Sequence, residues 1–454
     1  MITAINPTDG TTVGSYEPML PAELRVALRE AGRAFELWHR TSFAERATLM
    51  RAAANLLRGR IEPLAYLMAV EMGKPLAQGR TEVEKCVWVC EYYAEHAEQF
   101  LADEPVDTDA TRSLVVYRPL GAVLAVMPWN FPFWQLFRFA APTLMAGNVA
   151  LLKHASNVPG CALAIEAVFR DAGFPAGVFR TLLIDHAQLK TVIRHDAVRA
   201  VTLTGSTAAG RAVARLAGDR LKKTVLELGG SDPYLVLEDA DLELAVETCV
   251  ASRLINSGQS CIAAKRFIVV VAVREEFERR FVLRMGRAKM GNPLKPGIEL
   301  GPQARRDLRD ELHAQVIASL AKGARCLLGG AVPEGPGAFY PPTVLTDVRK
   351  GMAAYSEELF GPVASIIPVR NEKAAIKVAN DTVFGLGAAV FTRDVTRGER
   401  IATDELVAGS CFVNSLVKSD PRLPFGGVRE SGYGRELSVH GIREFMNVKT
   451  VYVR

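Results

Sequence analysis

From Gly121 to Glu227 the chain alternates short apolar runs with helical segments, and the same alternation returns between Tyr234 and Phe391. In the first stretch residues 121–126, 149–153, 178–184, 200–204 and 224–227 read as strands, with helices at 159–172, 188–194 and 208–217 between them. Strands separated by helices need crossover connections, which are right-handed, so the expected sheet is mostly parallel and covered on both faces. The second stretch offers strands at 234–237, 267–271, 363–368 and 388–391, and helices at 241–256, 274–287 and 305–321. The fold class is therefore α/β, a doubly wound sheet followed by a second α/β unit. Their boundary falls near Glu227-Leu-Gly-Gly230, where ligands tend to bind in open sheets.

Ahead of the first strand, residues 22–40, 42–60, 62–72 and 81–100 carry helical periodicity, and Ser42 with Glu45 forms a capping box. The start of the chain is strand-like, residues 113–119 read as a further strand, and no internal repeat or low-complexity linker interrupts the pattern. A length of 454 residues, 49% apolar and 23% charged, suits two or three domains with ordinary cores. The net charge of +5 is spread among interspersed acids, which leaves no nucleic-acid footprint. No run of 18 uncharged apolar residues argues for a membrane span, and no basic-then-apolar start argues for a secretory signal. Seven scattered cysteines, an odd number, fit a reducing compartment, so a cytoplasmic protein is expected. Cys86 and Cys90 lie four apart on a helix without further Cys or His partners, which reads as packing, and no metal site is expected.

Cys261, in Asn256-Ser-Gly-Gln-Ser-Cys261, has a small, polar lead-in suited to an exposed turn. A thiol of pKa about 8.5 needs a base or a lowered pKa to serve as a nucleophile, and Glu227 is the candidate base. The alternative is a cysteine that merely packs as a small hydrophobe. Met127-Pro-Trp-Asn-Phe-Pro-Phe-Trp134 ends a strand and enters a helix, and a rigid aromatic corner explains its prolines but not Asn130, whose amide could donate to a developing oxyanion. Thr204-Gly-Ser-Thr-Ala-Ala-Gly210 also links strand to helix, so its free N–H groups could hold a phosphate, yet neither the P-loop nor the GxGxxG fingerprint is present. Lys153 closes an apolar strand and points either into a ligand crevice or to solvent. Glu358-Leu-Phe-Gly-Pro362 and Leu423-Pro-Phe-Gly-Gly427 are compact loops that say little singly.

Taken together and in this order, Pro128-Trp-Asn-Phe-Pro132, Thr204-Gly-Ser206, Glu227-Leu-Gly-Gly230, Gly258-Gln-Ser-Cys261, Glu357-Glu-Leu-Phe-Gly-Pro362 and Pro424-Phe-Gly-Gly427 resemble the aldehyde dehydrogenase superfamily over nearly the whole chain. The resemblance implies a Rossmann-type cofactor domain (1–110 and 121–227), an α/β catalytic domain (228–414), a small bridging sheet for oligomerisation (111–120 and 440–454) and a substrate-side loop (415–439) returning to the cofactor domain. It implies that Cys261 adds to the aldehyde carbonyl, that Asn130 with the Cys261 N–H forms the oxyanion site, and that Glu227 activates the hydrolytic water. Met127, Trp129, Lys153, Ser156, Gly205, Ser206, Leu228, Glu358 and Phe360 match positions that bind NAD or NADP. Ser156 departs from the Glu that NAD-preferring relatives carry there, where a carboxylate would repel a 2′-phosphate. NADP should therefore be accepted, with a preference for it left open. Residues 182–188, Leu-Leu-Ile-Asp-His-Ala-Gln, replace a glycine-rich turn and put pyrophosphate contacts on that side in question.

The closer match is to the short bacterial branch of succinate semialdehyde dehydrogenases, which implies a small aldehyde carrying a carboxylate. Arg138 stands where those enzymes place an arginine for the substrate's distal carboxylate, with an intramolecular salt bridge as the alternative. Ile255 replaces a second such arginine of the longer branch, so Ser419 or Arg422 was expected to supply the missing contact, with Phe131 and Phe425 lining the pocket. Ala263 stands where some relatives carry a redox-gating cysteine, so no disulfide is expected beside Cys261. Another semialdehyde, such as glutarate semialdehyde, or a plain aliphatic or aromatic aldehyde is a neighbouring possibility. From other classes, a cysteine-dependent hydrolase would need a histidine partner, and a non-catalytic protein of the same fold would not need Asn130, Glu227 and Cys261. A homodimer or homotetramer is expected, without nucleic-acid or membrane partners.

Overall fold

The computed structural model describes residues 1–454. A six-stranded sheet runs in the order Gly432–Tyr433, Lys223–Glu227, Val198–Thr204, Ala122–Met127, Val149–His154, Phe179–Thr181, parallel except at its Gly432–Tyr433 edge. From Ala122–Met127 the chain winds outward to one side, then returns to lay Val198–Thr204 and Lys223–Glu227 on the other. Between Ala122–Met127 and Val198–Thr204 the winding reverses, which opens a crevice at the carboxyl ends of both. Val126 lies beside Leu203, so the segments starting at Pro128 and Gly205 leave the sheet together.

A second sheet of seven strands has the order Arg325–Leu328, Thr343–Thr346, Val363–Val369, Arg266–Val270, Pro233–Val236, Gly387–Phe391, Ser410–Val413, parallel apart from the Arg325–Leu328 edge. Alternate residues point to opposite faces, so Tyr234, Phe267 and Ala389 join one buried cluster while Leu235, Ile268 and Val390 join the other. Both faces being covered explains why these strands read as continuous apolar runs. A three-stranded antiparallel sheet, Met446–Val453, Arg112–Pro119 and Glu104–Pro105, joins the end of the chain to its middle. No helix is long and apolar enough to cross a membrane.

Several boundaries differ from the sequence reading for local reasons. The strand expected at 178–184 is only Phe179–Thr181, because Asp185 caps the helix His186–Arg194 and accepts from the Gln188 N–H at 2.8 Å. The helix expected at 81–100 starts at Leu76, behind Pro75. The strands Arg325–Leu328, Thr343–Thr346 and Ser410–Val413 are four residues each, too short for an alternation to register.

One buried pair fixes the corner that carries Asn130. Lys74 and Glu82, each 1% exposed, form an ion pair, and Glu82 Oε1 also accepts from the N–H groups of Phe133 (2.9 Å) and Trp134 (3.0 Å). Those are free donors at the start of the helix Trp134–Met145, where a carboxylate is favoured. The Lys74 ammonium lies 3.8 Å from the Phe131 ring centroid, so the pair holds both ends of the turn. Glu82→Gln keeps the acceptor but leaves Lys74 buried without its counter-charge, and should cost about 3–5 kcal/mol of stability. Urea unfolding checks this: the midpoint should drop and partly recover in Lys74→Met/Glu82→Gln, and an unchanged midpoint in the single variant would refute the role.

Candidate active site

Cys261 is held at the end of a sharply reversed loop. The helix Leu242–Leu254 ends, and Asn256 (φ 52°), Ser257 (φ 56°) and Gly258 (φ 77°) follow in the left-handed region. Two non-glycine residues in that region cost about 1–2 kcal/mol each, so other contacts must enforce the turn. Asn256 supplies several: its N–H donates to Gln78 Oε1 (2.8 Å), and its amide donates to the carbonyls of Asn130 (2.7 Å) and Gln259 (3.1 Å). At Gly258 a Cβ would run into the Gly361 backbone, so only glycine fits. Lys265, 1% exposed, then gathers the carbonyls of Ser260 (3.0 Å), Cys261 (2.8 Å) and Ala263 (3.1 Å) and lies 3.5 Å from Glu358.

Two cavities meet at Cys261. One, of about 570 Å³, is lined by Phe131, Trp134, Arg138, Ile255, Ser419 and Phe425 among others. The other, of about 430 Å³, is lined by Trp129, Asn130, Gly205, Ser206, Leu228, Glu358 and Phe360. Cys261 is the only cysteine on either wall, and no histidine lines either one, so the hydrolase alternative lacks its base. Asn130 donates to the Gln259 carbonyl at 3.1 Å, which leaves one amide hydrogen free, and the Cys261 N–H donates to no protein group. These two free donors have the character of an oxyanion site.

The second cavity has the features a dinucleotide needs. Ser206 caps the helix Thr207–Gly218, accepting from the Ala209 N–H at 3.3 Å, and the remaining N–H groups of that first turn face the crevice end of the sheet. Trp129 and Phe360 stand edge to face at 5.7 Å, and Glu358 accepts from the Gly230 N–H at 3.1 Å. His154 braces the turn below: its Nε2 lies 3.0 Å from the Pro132 carbonyl, which can only accept, and its Nδ1 accepts from the Ala155 N–H. Burial pushes its pKa down to about 4, so His154 is neutral with the proton on Nε2. Met127 is buried at the strand end behind this turn. Lys153 is also buried and lines neither of the two cavities, and Asp185 is its electrostatic partner. Ser156 lies apart from Cys261, on a cleft of about 520 Å³ whose lining contains Arg305 and Arg306 but no acid.

Two expectations need correction, and at Arg138 the stated alternative is observed. Glu227 and Cys261 make no contact. The Glu227 carboxyl lies against Gly426 and lines neither cavity; burial, with Glu436 beside it, raises its pKa well above the ordinary carboxylate value. Burial thus favours its neutral form. Arg138, 2% exposed, is ion-paired with Glu436 and stacked 4.6 Å over the Phe425 ring, so its charge is already matched inside the protein. The intramolecular salt bridge is what the fold built. Arg422 lines neither cavity, because Asp420 grips it through two bonds of 2.9 and 2.7 Å and its side chain is 66% exposed. Ser419 and the two phenylalanines do line the cavity of about 570 Å³.

Four residues that matter here escaped the sequence reading: Glu82, Lys85, Lys265 and Glu436. The helical spacing of Gln78, Glu82 and Lys85 could have marked one face of a helix, but nothing local distinguishes Lys265 or Glu436.

Burial pushes the Cys261 thiol up to about 12, against the pull of Arg138 and Lys265, with Glu358 and Asp232 adding to the rise. A raised pKa means the neutral thiol dominates across the physiological range. Inactivation of the ligand-free protein by iodoacetamide should therefore accelerate by about tenfold per pH unit from pH 7 to 9. A plateau below pH 8 would show a stabilised thiolate instead.

A profile of the aldehyde dehydrogenase family matches residues 1–451. The succinate-semialdehyde dehydrogenase [NADP(+)] 1 of Mycobacterium tuberculosis is 50% identical over 455 aligned positions, covering 100% of this chain and 99% of the relative. A probable succinate-semialdehyde dehydrogenase [NADP(+)] of Synechocystis is 49% identical, again over 100% of this chain and 99% of its own length. Among solved structures, the succinic semialdehyde dehydrogenase of Streptococcus pyogenes in complex with NADP+ superposes with a TM-score of 0.97 at 36% identity, covering 99% of both chains.

Proposed function

The chain belongs to the aldehyde dehydrogenase family, and on that premise we propose that it oxidises succinate semialdehyde to succinate with NADP as the hydride acceptor. The observation that carries the reading is the single thiol, Cys261, shared by an apolar cavity with cationic groups on its wall and a cleft with the features of a dinucleotide site. Overall, aldehyde, water and NADP+ become carboxylate, NADPH and two protons.

Trp129, Gly205, Ser206, Leu228, Glu358 and Phe360 would hold the nicotinamide half of the cofactor. Met127, Lys153 and Ser156 would form the adenosine side. Bound there, the nicotinamide would supply the hydride acceptor for the carbon attached to Cys261. Sγ of Cys261, its proton released to water, first adds to the aldehyde carbon, and the Asn130 amide with the Cys261 N–H stabilises the oxygen that becomes negative. After hydride loss the acyl group is a thioester on Cys261. Glu227 serves as base for the water that cleaves it, and from its seat against Gly426 the side chain must turn toward Cys261 to do so. A carboxyl whose pKa burial raises is suited to accept a proton once it is exposed to water.

Sequence and relatives both favour NADP. Ser156 brings no charge, and no acid lines the cleft beside it, so nothing there repels a 2′-phosphate. The residue ranges inferred for the cofactor domain, catalytic domain and bridging sheet complete the reading. The strand Met446–Val453 is an unpaired sheet edge with Val448, Tyr452 and Val453 exposed, a surface suited to self-association. All seven cysteines are free, in keeping with a cytoplasmic enzyme.

Steady-state assays with succinate semialdehyde and each cofactor test the reading. NADPH formation should match succinate release, and Cys261→Ala should abolish both. Ser156→Glu should shift the ratio of efficiencies toward NAD by about tenfold or more, the cost of setting a carboxylate against a phosphate. A wild-type preference for NAD of that size would overturn the cofactor assignment.

Glu227→Gln separates the two half-reactions. It should retain a burst of NADPH close to one per active site while steady-state turnover falls by at least about 100-fold, the scale of a lost general base. Loss of the burst as well would place Glu227 in the first half-reaction instead.

A further inference from the structure

Lys265 is a buried cation that the reaction as described leaves unused. It lies just ahead of the strand Arg266–Val270, and its side chain is 1% exposed. Its Nζ donates to the carbonyls of Ser260 (3.0 Å), Cys261 (2.8 Å) and Ala263 (3.1 Å). A carbonyl oxygen can only accept, so three such bonds need three hydrogens on Nζ, and only the ammonium has them. Burial lowers the Lys265 pKa; Glu358 and Asp232 oppose the fall and Arg253 adds to it. Glu358 Oε1, 3.5 Å away, is the carboxylate that balances the charge.

The Ser260 carbonyl and the Cys261 N–H are the two ends of one peptide unit. That unit is planar and trans, so the two bonds point in opposite directions. Fixing the carbonyl on Lys265 therefore turns the N–H away from the ammonium, and this is the donor that no protein group takes. One unit earlier, Asn130 and Asn256 each donate to the Gln259 carbonyl at 3.1 Å. One unit later, the Cys261 carbonyl is held by the same ammonium. The donor is thus bracketed on both sides, and its orientation does not wait for a substrate. A cation on the carbonyl oxygen also draws electron density along the peptide, which makes its N–H a stronger donor.

We propose that Lys265 is a positioning residue for the oxyanion site: through the Ser260 carbonyl it aims the Cys261 N–H at the reacting oxygen and strengthens it as a donor. This rests on the reading of Cys261 as the nucleophile of an aldehyde oxidation. Lys265 lines neither cavity, so it acts through the peptide and not by touching substrate or cofactor. When the aldehyde oxygen becomes negative the ammonium is already in place, and no group has to reorient as the charge develops. The same charge acts on Sγ, where it favours the thiolate.

The rate constant of the NADPH burst with succinate semialdehyde reads the step in which this donor works. In Lys265→Met it should fall by roughly 10- to 100-fold, part of what a lost oxyanion donor costs, while KM for the aldehyde and Kd for NADP stay within about threefold. Iodoacetamide inactivation at pH 8 should slow too, because a cation near Sγ is gone, whereas a loop that had come loose would expose the thiol and react faster. Lys265→Gln keeps donors for the carbonyls without the charge, and its burst rate should fall between those of wild type and Lys265→Met. Asn130→Ala removes the other donor to the same oxygen and is the reference, with a burst slowed by about 100-fold or more. A burst slowed in Asn130→Ala but within about threefold of wild type in both Lys265 variants would overturn the role of Lys265 and leave the reading of the reaction standing. A slowed burst with faster alkylation would overturn it too, since Lys265 would then only support the loop. An unaffected burst in Asn130→Ala would remove the oxyanion site and the proposal with it. No NADPH from the wild type with any aldehyde would overturn the reading of Cys261 itself. Should Lys265→Met fail to fold, Lys265→Gln decides, because an unchanged burst there refutes the strengthening of the donor by the cation.

Discussion

Arg138, on the cavity wall, and Glu436, distant in sequence, are buried together as an ion pair whose charges act on several groups around the cleft. A buried guanidinium must be matched or the fold loses several kcal/mol, and Glu436 matches it. The same carboxylate sits beside Glu227 and adds to the burial that raises its pKa. The positive charge also reaches Cys261, where it works against burial without overcoming it. It reaches Lys85 as well, adding to the burial that lowers its pKa. One ion pair therefore acts on the Cys261 thiol, the Glu227 carboxyl and the Lys85 ammonium on the cavity wall.

Around it the architecture supplies position. Pro128 and Gly205 leave neighbouring strands at the carboxyl ends of the first sheet, where the winding reverses. The loop with Cys261 enters the second sheet at the start of its strand Arg266–Val270. The cleft is the seam between the outgoing edge of one sheet and the incoming edge of the other. Loops are soft, so each is tied from the side: Glu82 holds the turn after Pro128, His154 braces it from beneath, and Asn256 with Lys265 fixes the approach to Cys261. Left-handed residues at 256–258 are tolerable only because these ties over-determine them.

The sequence could be read this far because some signals are local. Alternation of strand and helix follows from which faces are covered, and it located the central strands of both sheets to within a residue or two. It missed the four-residue strands Arg325–Leu328, Thr343–Thr346 and Ser410–Val413, too short for their alternation to stand out. Asn130 and Cys261 stood out because prolines, aromatics and glycine crowd around them for reasons of backbone shape, and both do border the cleft. The pairing of Arg138 with Glu436 was not legible because that partner comes from the last strand-turn-helix segment, which no spacing rule links to the helix Trp134–Met145. Arg422 was misassigned because Asp420, two residues away, reaches it first.

What the sequence determined by itself is the order of α/β elements, the family and the identity of the thiol, since periodicity, turn chemistry and short motifs are written in contiguous residues. Which charges are free to act was decided only by the tertiary structure. Arg138, Lys85 and Glu227 carry the same side chains in any fold, yet one is neutralised by a carboxylate, one is left without a counter-ion and one has its pKa raised by burial. The physical reason is that desolvation and pairing depend on neighbours within a few ångströms, and the long-range packing of the two sheets chooses those neighbours.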